Sequence, residues 1–356
     1  MIRILIMAGG TGGHLMPALA VAERLRARGA EVCWIGTADS LEAKLVPRAG
    51  FQLHTIRIKG LRQSGAARVA VMPFMLLWAM AQALAVMARH KPHAVLGMGG
   101  FVSGPGGLIA CLLRRPLVVH EQNTVAGLTN RHLARFARRA LSGFPAVKGM
   151  AGATWVGNPV RREIAELPAP KSRLAGRRGP MRVLVVGGSR GAEVFNQRLP
   201  GLLARAPQPA PEVWHQCGPH DPDTIGKRYL EAGIRSRVSG FIDDMAGAYA
   251  WCDLVICRAG AMTVSEVCAA GVAALLVPYP FAVSDHQTGN AAWLQSRSAA
   301  RLVAQDDFVR GTWLEHLGEW QRDRRHLVEM AQAARHLARP HAAAEVARVC
   351  LEVADG

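Results

Sequence analysis

Residues 2–7, Ile-Arg-Ile-Leu-Ile-Met, are apolar except for one arginine, as expected of a strand covered on both faces rather than one with a wet face. A glycine run follows at once, Gly9-Gly10-Thr11-Gly12-Gly13-His14. Pro17 then suits the first turn of a helix in which Ala18, Val21, Ala22 and Leu25 recur at helical spacing until Gly29. Val32 to Ile35, Ala94 to Met98 and Leu117 to His120 repeat the short apolar run closed by glycine or polar residues. Strands alternating with helices predict a parallel, doubly wound α/β domain. The pattern restarts at Met181 to Val186, followed by Gly187-Gly188-Ser189-Arg190-Gly191 and a helix-compatible stretch from Glu193. Leu254 to Cys257 and Ala274 to Val277 read as further strands, and the chain from about residue 312 reads as helical and charged. Between the halves, residues 166–180 are rich in Pro, Gly and cations without apolar period, the expected loop beside a domain boundary.

The 356 residues suit two domains of roughly 150–200 residues each. Half of the residues are hydrophobic and 19% charged, a globular composition that excludes a disordered chain. Lys and Arg number 43 against 26 Asp and Glu, and the net charge of +17 favours anionic partners. The cations are scattered and form no helix-turn-helix or RNA-binding signature, so nucleic acid is not expected. Seven cysteines without CxxC or zinc spacing predict free thiols, a reducing compartment and no structural metal. The N-terminal apolar run meets glycine too early for a signal peptide, so no export is expected. Asp221-Pro222-Asp223 could hold a metal–diphosphate, but its proline and neighbouring glycine read more simply as a turn.

Val69 to Ala88 contains no charged residue, which is enough length to span a bilayer. Pro73 and Gln82 are expected to interrupt it, and a lone span inside an α/β series would separate the two halves. Met72, Phe74, Met75, Leu76, Leu77, Trp78 and Met80 are more than one helix face can hide, and Arg62, Arg68, Arg89 and Lys91 flank them. An apolar cluster ringed by cations predicts attachment to an anionic leaflet.

The glycine turns could cradle phosphate, but no P-loop occurs and Leu15 spoils a dinucleotide fingerprint. Taken together, Gly9–His14, His120-Glu121-Gln122-Asn123, Gly157-Asn158-Pro159-Val160-Arg161, Gly187-Gly188-Ser189, Cys257-Arg258-Ala259-Gly260-Ala261 with Thr263 and Glu266, and Asp285-His286-Gln287-Thr288 closely resemble the MurG family of N-acetylglucosaminyltransferases. The resemblance implies a GT-B fold, two Rossmann-like domains with parallel sheets facing a central cleft. It implies domains at 1–157, with 336–356 returning as a last helix, and at 158–335. The implied activity converts lipid I to lipid II with UDP-N-acetylglucosamine and no cofactor or metal. It implies a peripheral protein on the cytoplasmic face of the plasma membrane, with other cell-wall synthesis proteins as further partners.

By the same resemblance Glu266 receives the ribose hydroxyls, Ser189 and its glycines face the diphosphate, and Arg161, Ile242 and Met262 lie near the nucleotide. Gln287, Thr288 and Thr263 face the donor, while Thr11, Gly12, Gly13, His14 and Asn123 approach the sugar from the N-terminal domain. The residues themselves leave alternatives open. Thr263 and Glu266 have the spacing of a capping box at a helix start, with Gly271 ending that helix. His120 reads as a satisfied buried histidine. Glu121 is either a loop anchor or the general base, and His14, in the loop ahead of the first helix, is its competitor for that role. Another UDP-sugar GT-B enzyme with a soluble acceptor, or an epimerase, is the alternative reading.

Overall fold

The computed structural model describes the whole chain except Thr11, residues 59–65, Ser189 and Arg190, and the side chains of residues 66–71 and 283. Two units emerge, one from Met1–Val160 with Arg339–Gly356 and one from Arg161–Ala338. Asn158 belongs to the first, because its buried amide donates to the carbonyl of Gln122 at 3.0 Å.

The first unit carries strands β1 (Arg3–Met7), β2 (Glu31–Gly36), β3 (Gln52–Thr55), β4 (Ala94–Gly97), β5 (Leu117–Glu121), β6 (Arg139–Ser142) and β7 (Thr154–Trp155). They form one parallel sheet in the order β3-β2-β1-β4-β5-β6-β7. Helices α1 (Gly12–Ala27), α2 (Leu41–Arg48), α3 (Ala66–His90), α4 (Ser103–Leu112) and α5 (Leu128–Leu133) connect them. The side-chain alternation of β1 divides the core. Ile4 and Ile6 pack with α1 and with the C-terminal helix Ala342–Asp355, while Leu5 and Met7 pack with α3 and α4.

α1 begins at Gly12, so Pro17 lies inside the helix and His14 is in its first turn, not in a loop ahead of it. The first turn has no intrahelical acceptors for its N–H groups, so Gly12 and Gly13 can open the helix early, and Pro17 forfeits only one later bond. Pro73 likewise lies inside α3 rather than interrupting it. Gln82 faces the domain, where its side-chain oxygen accepts from the backbone N–H of Arg57 at 2.7 Å. One face of α3, Ala79, Ala83 and Met87, is buried at i, i+4, i+8, whereas Phe74, Leu77 and Trp78 are 72, 62 and 59% exposed. The Met72–His90 stretch is long and apolar enough to cross a membrane by length and composition, and 17% of it is buried against the unit. Arg62 and the side chain of Arg68 lie outside the described residues.

The second unit opens with α6 (Arg162–Ala165) and α7 (Pro170–Leu174). Then come β8 (Arg182–Val186), α8 (Glu193–Leu203), β9 (Glu212–Gln216), α9 (Pro222–Glu231), β10 (Ser236–Ser239), α10 (Met245–Trp251), β11 (Leu254–Cys257), α11 (Ala261–Ala270) and β12 (Ala273–Leu276). It closes with α12 (His286–Gln295), β13 (Arg301–Leu302), α13 (Gln305–Arg310), α14 (Leu314–Arg322) and α15 (Arg325–His336). The sheet is parallel in the order β10-β9-β8-β11-β12-β13. Segment 166–180 is not a bare loop, since it holds α7 and two arginines that reach helix ends. Arg177 bonds the carbonyls of Ala250, Trp251 and Cys252 at the end of α10 and the carboxylate of Asp253, and Arg173 bonds those of Ala270 and Gly271 at the end of α11.

Candidate active site

In each sheet the strand order reverses at one place, between β1 and β4 in the first unit and between β8 and β11 in the second. Ligands of open α/β sheets bind outside the carboxyl ends of such a pair, because the following loops diverge to opposite faces and leave a crevice. The glycine turns at Gly9–Gly13, Gly187–Gly191 and Gly260 sit at three of those four strand ends, and Gly99-Gly100 at the fourth.

In the first unit the turns after β1 and β4 touch. A Cβ on Gly100, at φ +81°, would stand 2.3 Å from the carbonyl oxygen of Gly9, so only glycine permits the approach. Ser103, buried at the start of α4, reaches the carbonyls of Met7 and Gly99 at 3.0 and 2.8 Å and ties the two strand ends together. Glu42 supports the turn from behind. Its buried carboxylate accepts from the N–H of Gly10 at 3.4 Å and from the N–H and hydroxyl of Thr37 at 3.1 and 2.9 Å. The imidazole of His14 lies on Gly99, where an added Cβ would meet its Cδ2 at 2.9 Å and Asn130 Nδ2 at 3.2 Å. His14 and Asn130 therefore occupy one small region. Thr11 lies outside the described residues, and Gly12 and Gly13 form the first turn of α1 beside His14.

Glu121 ends β5, is 2% exposed and is surrounded by donors. One oxygen accepts from the backbone and side-chain nitrogens of Asn123 at 3.0 and 3.2 Å, the other from Gly127 N at 3.2 Å and Asn130 Nδ2 at 2.8 Å. A carboxylate offers about four lone-pair positions, and here each has a donor. That is the loop anchor. His120 is fully buried, with Nε2 on the carbonyl of Gly157 at 2.9 Å and Nδ1 on Gln122 Nε2 at 3.1 Å. Burial lowers its pKa against the opposing effect of the Gly157 carbonyl, so it is a neutral structural histidine.

In the second unit, a Cβ on Gly187 would meet the backbone N of Ala192 at 2.5 Å, which accounts for glycine at the turn after β8. Ser189 and Arg190, the tip of this turn, lie outside the described residues. The N-cap residues of α8 and α11, Ala192 and Gly260, carry no capping side chain, so N–H groups at both helix starts can serve an anion. Gly260 as N-cap also removes the capping-box alternative, since Thr263 and Glu266 are the third and sixth residues of α11. Gly271 does end that helix, at φ +60°.

Glu266, with its side chain 17% exposed, is held from two elements. Arg161, the N-cap of α6, bonds Oε1 at 3.3 Å, and the hydroxyl of Tyr249 on α10 donates to Oε2 at 3.2 Å. Burial raises the Glu266 pKa, while the Arg161 charge and these two hydrogen bonds oppose the rise. Met262 and Thr263 are half-buried on the same first turns of α11. Ile242 is buried, 3% exposed, in the turn between β10 and α10. On α12, Gln287 Oε1 accepts from Tyr279 N at 2.9 Å, and the hydroxyl of Thr288 donates to Asp285 at 2.6 Å. Asp221 is a helix cap, accepting from Asp223 N and Thr224 N at the start of α9, as the turn reading of Asp221-Pro222-Asp223 expects.

Sequence reasoning missed Glu42, Asn130 and Tyr249. The first two stand in short helices among ordinary polar positions, and Tyr249 stands in the apolar run Met245–Trp251. No local pattern marks any of them.

The fold has known relatives. The N-terminal domain model of glycosyltransferase family 28 matches residues 4–142, and the C-terminal domain model matches residues 182–346. The UDP-N-acetylglucosamine–N-acetylmuramyl-(pentapeptide) pyrophosphoryl-undecaprenol N-acetylglucosamine transferase of Nitrosococcus oceani is 51% identical over 100% of this chain and 99% of its own. That of Bordetella parapertussis is 53% identical over 99% of this chain and 98% of its own. The chain belongs to the MurG family. A crystal structure of Acinetobacter baumannii MurG superposes with a TM-score of 0.86 at 38% identity, over 99% of this chain and all of that one. The two parallel-sheet units are accordingly those of the GT-B glycosyltransferase fold, as the motifs imply.

Proposed function

We propose that this chain transfers N-acetylglucosamine from UDP-N-acetylglucosamine to the 4-hydroxyl of the N-acetylmuramyl unit of lipid I, with inversion, to give lipid II. The observation that carries the reading is the second unit's switch point, where α8 and α11 follow the paired strands β8 and β11 with no capping side chain on their N-cap residues and α11 carries a partly buried carboxylate, Glu266, in its second turn. A nucleoside diphosphate presents the complementary chemistry, a vicinal diol to bind a carboxylate and two phosphates to take backbone N–H donors. Full-length similarity to enzymes named for this transfer supports the same choice.

In this reading Glu266 accepts from both ribose hydroxyls, the backbone at Ile242 and the side chain of Met262 border the base, and Arg161 adds charge near the nucleotide. Gly187 to Gly191 with Ser189, and the first turn of α11 at Thr263, take the diphosphate. The amide nitrogen of Gln287 and the hydroxyl of Thr288 face the sugar. As the acceptor oxygen attacks the anomeric carbon, the bond to phosphate breaks and UDP leaves with the electron pair, its charge met by those N–H donors. The hydroxyl proton passes to a base of the first unit. His14 suits that role better than Glu121, because the four donors on Glu121 occupy the lone pairs a base would need. Gly12, Gly13 and Asn123 of the same unit are assigned to the acceptor side with it, as is Thr11 from the sequence motif alone.

A lipid-linked acceptor calls for a protein at the membrane. The exposed face of α3 is the part suited to it; a helix held along one face by its own domain supports peripheral attachment, in this reading to the cytoplasmic leaflet. Replacing Glu266 by Gln tests the donor assignment. Losing a charged acceptor from two hydroxyls should raise the donor KM about 10- to 100-fold with kcat much less affected. An unchanged donor KM would refute the ribose role.

A further inference from the structure

Among the described residues, two candidate carboxylates, the buried Glu121 at the end of β5 and the partly buried Glu266 in the second turn of α11, have opposite hydrogen-bond accounts. Glu121 has four donors, whereas Glu266 has two, Arg161 Nη2 on Oε1 and the Tyr249 hydroxyl on Oε2. With roughly four lone-pair positions per carboxylate, one on each oxygen of Glu266 remains, and a vicinal diol needs two. The two donors differ in kind. Arg161 is a third exposed on a long side chain at the start of a four-residue helix. Tyr249 is fully buried on α10, a helix closed at its far end by Arg177.

We propose that Tyr249 is a positioning residue for donor recognition, its phenol fixing the plane of the Glu266 carboxylate so that the remaining lone pairs face the two ribose hydroxyls. The proposal rests on the reading of Glu266 as the ribose acceptor. Packing alone does not explain the hydroxyl. The ring is enclosed and phenylalanine would fill the same space, yet this position carries the only hydroxyl of the run Met245–Trp251 and directs it onto Glu266. A buried hydroxyl is retained where it has a partner whose geometry it sets. A carboxylate held by Arg161 alone keeps its charge but can rotate about its last bond, and bidentate recognition of a diol depends on that angle.

The test is Tyr249→Phe in the full-length chain, which keeps the ring volume. Donor kinetics are measured together with calorimetric binding of UDP and of the UDP analogue lacking both ribose hydroxyls. The donor KM should rise about 3- to 10-fold with kcat within about twofold. UDP should bind more weakly, the analogue should bind unchanged, and adding the change to Glu266→Gln should bring no further loss. A Tyr249→Phe protein that melts earlier while still distinguishing UDP from the analogue as the wild type does would make the hydroxyl structural only and overturn the proposal. Failure of the ribose reading itself looks different: Glu266→Gln, too, would leave that distinction intact.

Discussion

His14 shows how far one side chain depends on the absence of another. Its imidazole lies on Gly99, whose φ of +99° and missing Cβ are what admit the ring. If His14 is the base, His14→Ala should lower kcat by roughly 10²–10⁴ with the donor KM retained, and the acid limb of the pH profile of kcat should vanish. Gly99→Ala should reproduce part of that loss, since the new methyl would stand 2.9 Å from the ring and push it aside. A His14→Ala enzyme that keeps kcat within a few-fold would remove His14 from the role. Residues of this kind were legible where a glycine motif announced them, as His14 and Glu266 were. Tyr249 and Glu42 were not, because what makes them matter is a partner brought close by folding. Tyr249 meets Glu266 from another helix, and Glu42 reaches under Gly10 from beyond the next strand. The sequence also left the capping box standing, and only the start of α11 at Gly260 removes it.

Among elements, the strands buried on both faces were readable. β1, β2, β4, β5, β8, β11 and β12 each coincide with an apolar run, within a residue or two at their ends. The remaining strands, β3, β6, β7, β9, β10 and β13, escaped because they are as short as Thr154–Trp155 or carry polar residues such as Gln52, Arg139, Glu212, Ser236 and Arg301, a mixture that reads as loop. α3 is the element whose sequence promised a broken segment and whose structure is one helix with two faces. Its buried face of Ala79, Ala83 and Met87 anchors it to the domain, while Phe74, Leu77 and Trp78 contribute little to that core. Replacing those three by Ser should release the protein from anionic vesicles. Each change should shift stability by no more than about 0.5 kcal/mol, and turnover of a short-chain acceptor should persist. Wild-type protein that resists extraction by alkaline carbonate would instead mean that α3 crosses the bilayer.

At the scale of the whole molecule, two halves of similar plan have been given different chemistry at the same topological position. The first unit has His14 over a pair of touching glycine turns, and the second has a carboxylate and two helices whose N-cap residues carry no capping side chain. The repeated strand-loop-helix opening made the two halves legible. The path of the chain was less so, since the last helix, Ala342–Asp355, completes the core of the first unit beside α1, a pairing that periodicity alone does not give. The net charge of +17 suits both an anionic donor and an anionic surface and decides between neither. What decides is turnover. The most direct measurement is UDP release from UDP-N-acetylglucosamine by the full-length chain, with and without a short-chain lipid I analogue, together with the anomeric configuration of the product. The account predicts release that depends on the acceptor and a β-linked disaccharide. Equal release without the acceptor, transfer to soluble sugars in its place, or an α-linked product would contradict it.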